Sequence, residues 1–120
     1  SFATGLMNCC ASLRSWMAPE SYRNEFSAKS DAWTFAVCAW EILNECKQEP
    51  FNHISDSEID NDIEWVKRLR QGCAERRGKY FLGSSLPDAC PQPLKLLLFQ
   101  CWRFKAEDRP NMATIVQEVH

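Results

Sequence analysis

The sequence lacks the features that mark membrane-spanning, nucleic-acid-binding and zinc-binding proteins. No apolar run approaches the roughly 20 residues that a membrane-spanning helix needs, and the formal net charge is only −2. A charge that small gives no strong field toward nucleic acid or an anionic membrane, so nucleic acid is not expected as a partner. The two histidines, His53 and His120, stand outside any cysteine or histidine ligand spacing. This argues against zinc and against a Cys-His nucleophilic pair.

A calcium loop is also excluded by residue spacing. Five acidic residues crowd residues 56–64, but an EF-hand loop that began at Asp56 would need glycine at position 61 and glutamate at position 67. The sequence has Asn61 and Lys67 there. Acidic residues at the start of a helix explain the run better, because negative charge is favourable at that end. No metal site is predicted.

The seven cysteines do not form the even, loop-borne set that is typical of a small secreted domain. No C-x-x-C pair occurs. Cys38, Cys46 and Cys101 fall within helical patterns, where cysteine behaves as a small buried apolar residue. We therefore expect a reducing, cytosolic environment.

What the sequence does have is a set of helical patterns and weak strand signals, which predict an all-α fold. From Ser30 to Cys46, apolar residues occupy nearly every side of a predicted helix, with Ser30 as its N-cap. A helix of this kind belongs at the centre of a fold. A chain of 120 residues leaves little material to surround it, so exposed apolar surface is expected on this helix.

A second helix is predicted to begin at the capping-box pattern of Ser55 to Glu58 and to end between Gly72 and Gly78. Trp65 lies off its apolar stripe and is either an exposed anchor for a partner or folded over the adjoining loop. A basic group between residues 67 and 79 is either a solvated helix face or a docking patch. The stripe itself contains Ile59, Ile63, Val66 and Leu69.

Three further helices complete the prediction. A short one begins near Pro19, since proline suits the first turn of a helix. Another, opened by Pro91 and Pro93, carries apolar residues from Leu94 to Trp102, and the last has Pro110 at its first position. Residues 81–91 are predicted to form a loop.

Three sequence blocks, in this order, resemble the C-terminal lobe of a protein kinase. The first, residues 16–20 (WMAPE), contains the A-P-E landmark that closes the activation segment. The second combines residues 30–35 (SDAWTF) with residues 40–43 (WEIL), as at the start of the central helix of tyrosine-type kinases. The third is the pair at 101–102 (CW) followed by residues 108–110 (DRP). The resemblance covers nearly the whole chain and favours the tyrosine and tyrosine-like branch.

A narrower likeness is to the discoidin domain receptors, which are collagen-binding receptor tyrosine kinases. It rests on residues 46–51 (CKQEPF), on residues 55–56 (SD) and on residues 101–103 (CWR). The resemblance implies a single-pass receptor whose kinase domain lies on the cytoplasmic side of the plasma membrane. Its implied partners are collagen, protein substrates and signalling proteins, and its implied cofactors are ATP and magnesium. On this reading residues 1–120 are a partial kinase domain, with the activation-segment tail at 1–20, the central helix at 30–46 and the C-terminal helices at 55–120.

The resemblance also implies roles for single residues. Glu20 would pair with Arg109 and tie the activation segment to the final helices, although each could be an ordinary surface charge. Asp31 would accept hydrogen bonds from the catalytic-loop backbone of the family, or act only as a helix-start residue. Trp33 belongs to the same central-helix motif as a structural residue. The floor on which a substrate peptide lies would include Leu13, Arg14, Trp16 and Met17.

Residues 1–120 contain no glycine-rich loop, strand lysine, catalytic-loop aspartate or D-F-G. This chain by itself is therefore expected neither to bind magnesium-ATP nor to transfer phosphate. One hypothesis is that the chain is part of an active tyrosine kinase. A second is that it is a pseudokinase or a docking module, which would bind other proteins through the helix from Ile59 to Cys73. A third is that it is a non-functional gene fragment. Three departures leave room for a pseudokinase: Ala36 replaces a common glycine, and Leu13 and Ser15 replace the usual proline and arginine.

Overall fold

The computed structural model describes residues 13–119, with side chains from residue 14 to residue 117. No strand occurs in this range, so the prediction of an all-α fold is confirmed. Short 3-10 helices lie between and before the α-helices, at Leu13–Trp16, Pro19–Arg23, Leu82–Ser85 and Ala106–Asp108. The α-helices are α1 (Ala28–Leu43), α2 (Asp56–Asp60), α3 (Asp62–Glu75), α4 (Gln92–Cys101) and α5 (Met112–Val119).

The N-cap of helix α1 is Ser27, three residues before the predicted N-cap. The side chain of Ser27 accepts hydrogen bonds from the backbone of Lys29 and Ser30, and the hydroxyl of Ser30 accepts one from the backbone N–H of Ser27 at 2.7 Å. Ser30 is thus the third residue of a capping box rather than the cap itself. The helix also ends at Leu43, before the predicted Cys46. Glu45 and Cys46 take left-handed backbone conformations, which no α-helix can continue through.

Helix α1 lies at the centre of the fold, in contact with α4, α5 and the 3-10 helices Leu13–Trp16 and Ala106–Asp108. Trp33, Val37 and Trp40 are buried on its covered sides. One side is less covered, because Ile42 is 68% exposed and Phe35 is only half-buried. The apolar surface expected on this helix is therefore present, on one side of it.

The helix predicted from residue 55 is two helices. Ser55 caps α2 by accepting the N–H of Glu58, and Asn61 caps α3 by accepting the N–H of Glu64 at 3.3 Å. Because Asn61 ends one helix and caps the next, the residues that follow it face other directions than a single continuous helix would give them. As a result the predicted apolar stripe is wrong in part: Ile59 and Leu69 are buried, but Ile63 is 73% exposed.

Trp65 occupies the buried position that Ile63 was expected to fill. It is fully buried, and its ring meets that of Phe51 edge-on at 5.0 Å and that of Tyr80 at 6.1 Å. We call these three residues the Trp65 cluster. Trp65 therefore packs over the adjoining loops, and the hypothesis that it is an exposed anchor is wrong.

The end of α3 falls between Gly72 and Gly78, as predicted, and Gly72 itself lies inside the helix. The helix continues to Glu75 and is closed by Arg76 in the left-handed conformation. A Cβ atom at position 72 would stand 2.3 Å from the carbonyl oxygen of Tyr80. Glycine is needed here because the backbone of the following segment packs directly against the helix.

The last two helices begin near their predicted positions. Pro91 precedes the first residue of α4, whose buried residues are Leu97, Leu98 and Cys101. Pro110 lies outside α5, which is capped by Asn111 through the N–H of Thr114 at 2.8 Å. Within residues 13–119 no helix is long and apolar enough to cross a membrane.

Candidate functional site

The side chain of Arg109 is buried and uses all five of its N–H donors. Its two terminal nitrogens donate to the two carboxylate oxygens of Glu20, at 2.8 and 2.9 Å. The remaining three N–H groups donate to backbone carbonyls, those of Arg103 at 2.7 Å, Phe104 at 2.9 Å and Lys29 at 3.1 Å. A guanidinium has five donors in a fixed plane, so no polar hydrogen of Arg109 is left unsatisfied.

Two further contacts fix Arg109. Its guanidinium lies 5.1 Å from the ring centroid of Trp33, a cation–π contact with a side chain that is only 2% exposed. The ammonium of Lys29 donates to the carbonyl of Arg109. We call Arg109, Glu20, Trp33 and the carbonyls of Lys29, Arg103 and Phe104 the Arg109 hub. It joins the segment before α1, the start of α1 and the connection between α4 and α5.

Glu20 reaches the hub from the 3-10 helix Pro19–Arg23, which has its proline in the first turn. The preceding residues Met17 and Ala18 are buried, and Glu20 itself is 9% exposed. A charge pair at this depth depends on both partners. Removing one leaves the other charged and buried, which costs about 3–5 kcal/mol.

Asp31 lies in the first turn of α1 and is 9% exposed. Its backbone N–H donates to the carbonyl of Ser27 at 3.0 Å. A carboxylate at this end of a helix is favourable because it faces the positive end of the helix dipole.

The residues predicted to floor a substrate site fall in the segment 13–17. The structure describes only the backbone of Leu13. Trp16 is tied to α1 twice: its indole N–H donates to Glu41 at 3.3 Å, and its carbonyl accepts from the hydroxyl of Thr34 at 3.1 Å. Met17 is 6% exposed and so faces the interior. The accessible part of this surface is therefore formed by Arg14 and Trp16.

Arg14 connects the same segment to the start of α3. Its guanidinium pairs with Asp62, lies 3.6 Å from Asp60 and stacks 5.0 Å from the ring centroid of Tyr22. The Tyr22 hydroxyl donates to the carbonyl of Arg14, and burial raises the pKa of this phenol well above its ordinary value. Two of the acids in the run 56–64, Asp60 and Asp62, thus interact with Arg14. Sequence reasoning missed this contact because Arg14 stands more than 40 residues away.

The site has no reactive nucleophile among its thiols. Burial raises the pKa of Cys73 to about 12 and that of Cys101 to about 12, with the charge of Arg109 acting weakly in the opposite direction. Both are therefore neutral at physiological pH, and the thiolate is the reactive form. Across residues 13–119, no cluster of histidine, cysteine and acidic side chains has the arrangement of a metal site. What the described residues form is a structural junction.

A central helix, a glutamate from an A-P-E sequence and a buried arginine from a D-R-P sequence define the class of structure: the helical C-terminal lobe of a protein kinase. The family model for protein tyrosine and serine/threonine kinases matches residues 7–119. The chain belongs to this family and is similar to its tyrosine kinases, among them a discoidin domain receptor.

Three relatives illustrate the similarity. The chain is 32% identical to the mouse epithelial discoidin domain-containing receptor 1 over 101 residues, which is 83% of this chain and 10% of the relative. It is 32% identical to the human tyrosine-protein kinase ZAP-70 over 105 residues, 87% of this chain and 14% of the relative. It is 35% identical to the Drosophila melanogaster fibroblast growth factor receptor homolog 1 over 103 residues, 85% of this chain and 12% of the relative. The chain therefore spans only a small part of the length of each.

Proposed function

We propose that residues 13–119 fix the end of the activation segment in a tyrosine kinase domain. The whole protein would transfer the γ-phosphate of ATP to tyrosine in protein substrates, with ATP and magnesium held by residues other than these. The observation that carries the proposal is the Glu20–Arg109 pair, which joins residues 89 apart in the sequence. Through it the segment that precedes α1 is held against the last two helices, and a substrate surface needs that rigidity.

Within this proposal, Arg14 and Trp16 form the accessible floor beneath a substrate peptide, with Leu13 and the buried Met17 beside them. The ion pair of Arg14 with Asp62 and the hydrogen bond of Trp16 to Glu41 hold this floor in place. Asp31 would act at the start of the central helix, toward the catalytic loop of the complete domain.

For the whole protein we propose a receptor whose kinase domain lies on the cytoplasmic side of the plasma membrane. The likeness to discoidin domain receptors supports collagen as its extracellular ligand and signalling proteins as its intracellular partners.

The test uses the full-length gene product, incubated with magnesium-ATP and a glutamate-tyrosine copolymer. We expect phosphotyrosine to form with the wild type and to fall by at least about tenfold in Arg109→Ala, because the substrate floor loses its tie to the last helices. Arg77→Ala, at an exposed arginine outside the hub, serves as the matched control and should keep wild-type activity. A wild-type protein without tyrosine kinase activity would contradict the proposal.

A pseudokinase or docking module is the second candidate. It is favoured by Leu13 and Ser15, which stand where tyrosine kinases usually carry proline and arginine. A full-length product that fails to phosphorylate the copolymer but folds would support it.

Calorimetry of the 120-residue chain with magnesium-ATP tests the proposal that the nucleotide is held by other residues of the whole protein. We expect no saturable binding, and a micromolar dissociation constant would overturn that assignment.

A further inference from the structure

Two adjoining clefts run along one side of α3. The first, of about 480 Å³, is lined by the aromatic residues Phe81, Phe99 and Trp102. The second, of about 620 Å³, is lined by Tyr22, Ile63 and Val66 among others. Arg70, Phe104 and Lys105 line both clefts, which makes them parts of one surface. We call this surface the α3 groove.

The first cleft carries an excess of positive charge. Four cations line it against a single carboxylate, that of Asp108, and none of the four forms an ion pair with any residue of the described range. The guanidinium of Arg70 lies 5.7 Å from the ring centroid of Phe104, and that of Arg103 donates to the backbone carbonyl of Asp108 at 2.8 Å. Their charge is thus left to act on a ligand. The four are Arg70, Arg76, Arg103 and Lys105.

The walls of the first cleft are aromatic. Phe81 meets Phe99 edge-on at 5.1 Å and Trp102 at 6.0 Å. The indole N–H of Trp102 is buried and has no acceptor among the described residues. The cleft therefore offers cations and apolar ring surfaces, which together suit a ligand that combines acceptor oxygens with an apolar body.

The second cleft shares Arg70 and Lys105 with the first but exposes more apolar surface. Its exposed floor residue, Ile63, is apolar and 73% exposed. Four carboxylates line it: Glu20 pairs with Arg109 and Asp62 with Arg14, Glu25 lies 3.5 Å from Arg23, and Glu107 forms no ion pair within the described range. The groove is thus cationic where the two clefts meet and in the first cleft, and it becomes more apolar toward Ile63.

We propose that the α3 groove docks an acidic segment of a partner protein. The carboxylates of that segment lie on the four cations, one aromatic or aliphatic side chain enters the first cleft, and the chain continues over Ile63. Each cleft alone has the volume of a small-molecule pocket, which is typically about 300–1,000 Å³. Their continuity and the change of character along the groove fit an extended chain better than a compact molecule. This docking does not depend on phosphoryl transfer.

The experiment measures fluorescence anisotropy of a fluorescein-labelled peptide of glutamates around one phenylalanine, titrated with the 120-residue chain. The double variant Arg76→Glu, Arg103→Glu should weaken binding by at least about tenfold. The matched control, Arg68→Glu with Arg77→Glu, makes the same change of net charge at exposed positions that line neither cleft. It should keep the affinity within about twofold of wild type. Thermal melts by circular dichroism verify that both double variants are folded.

A second peptide, in which alanine replaces the phenylalanine, tests the cleft itself. We expect it to bind at least about tenfold more weakly, because it buries no ring against the aromatic walls. Equal affinity for the two peptides, equal loss in the two double variants, or no binding to the wild type would each overturn the proposal.

Discussion

The Arg109 hub and the Trp65 cluster both join distant parts of the chain around a fully buried side chain, but they do so by different physics. The hub is held by five directional hydrogen bonds to four partners. The cluster is held by contacts between ring edges and ring faces. The polar network requires arginine in particular, since any other side chain leaves buried groups unpaired. The aromatic cluster depends mainly on filling space with ring surface, so it should tolerate a smaller ring at a modest cost.

The largest expected effect is at Arg109. Arg109→Ala should lower the free energy of unfolding by about 3–5 kcal/mol, because Glu20 and three carbonyls lose their donors in the interior. Arg109→Lys should cost nearly as much, since an ammonium cannot form the planar, five-donor pattern. Urea denaturation measures both losses, and hydrogen exchange of residues 17–22 should accelerate in both variants. Wild-type stability in Arg109→Lys, or unchanged exchange in Arg109→Ala, would show that the hub does not hold that segment.

The next effect is at Gly72, which supports the Trp65 cluster through Tyr80. Gly72→Ala places a Cβ against the Tyr80 carbonyl and should cost about 2–3 kcal/mol, because backbone must move. Gly78→Ala is the matched control. Gly78 has open space around it but a φ of 87°, so its cost should be only about 1 kcal/mol from the backbone conformation. Thermal denaturation of both variants separates the steric cost from the conformational one, and the reverse order of stability would contradict the packing described for Gly72.

A smaller effect is expected for Trp65→Phe. The phenyl ring keeps edge contacts with Phe51 and Tyr80 and loses only part of the buried area, so the expected cost is about 1–2 kcal/mol. Trp65→Ala should cost about 3–5 kcal/mol by the same denaturation assay. If Trp65→Phe proved as destabilising as Trp65→Ala, the cluster would depend on one particular side chain, as the hub does. The proposed difference between the two regions would then be wrong.

The last expected effect is a pH dependence and concerns the thiols close to the hub. Because burial raises the pKa of Cys73 and Cys101 from 9.0 to about 12, the folded chain keeps protons that the unfolded chain releases in that interval. The free energy of unfolding should therefore fall above pH 9, by at most about 1.4 kcal/mol per pH unit and thiol. Urea denaturation at pH 8, 9 and 10 measures the slope. Cys73→Ala should reduce it, while Cys46→Ala, at an exposed thiol, should leave it unchanged.

Sequence patterns anticipated the helices and the side chains of the hub, for different reasons. Apolar periodicity reports local geometry, so α1 and α4 could be placed within a few residues. Glu20 and Arg109 were brought into one hypothesis only by the resemblance to a kinase lobe, since a pair 89 residues apart has no local signature. The resemblance gave no warning that Met17 would be buried.

Other features depend on tertiary contacts that no local pattern encodes. The cap at Asn61 turned one predicted helix into two and exchanged the roles of Ile63 and Trp65. Gly72 resembles a helix terminator in sequence, but it is required by the backbone of Tyr80. The carbonyls that complete the hub belong to the backbone and so leave no trace in the residue types.

The separation between Glu20 and Arg109 also has a consequence for how the chain folds. Contacts between residues far apart in sequence must overcome a large loop-closure entropy and tend to form late. During synthesis Glu20 emerges long before Arg109, so this buried ion pair cannot form until the connection between α4 and α5 has been made. The tie between the segment before α1 and the last two helices can therefore be completed only after α1 to α4 have been synthesised.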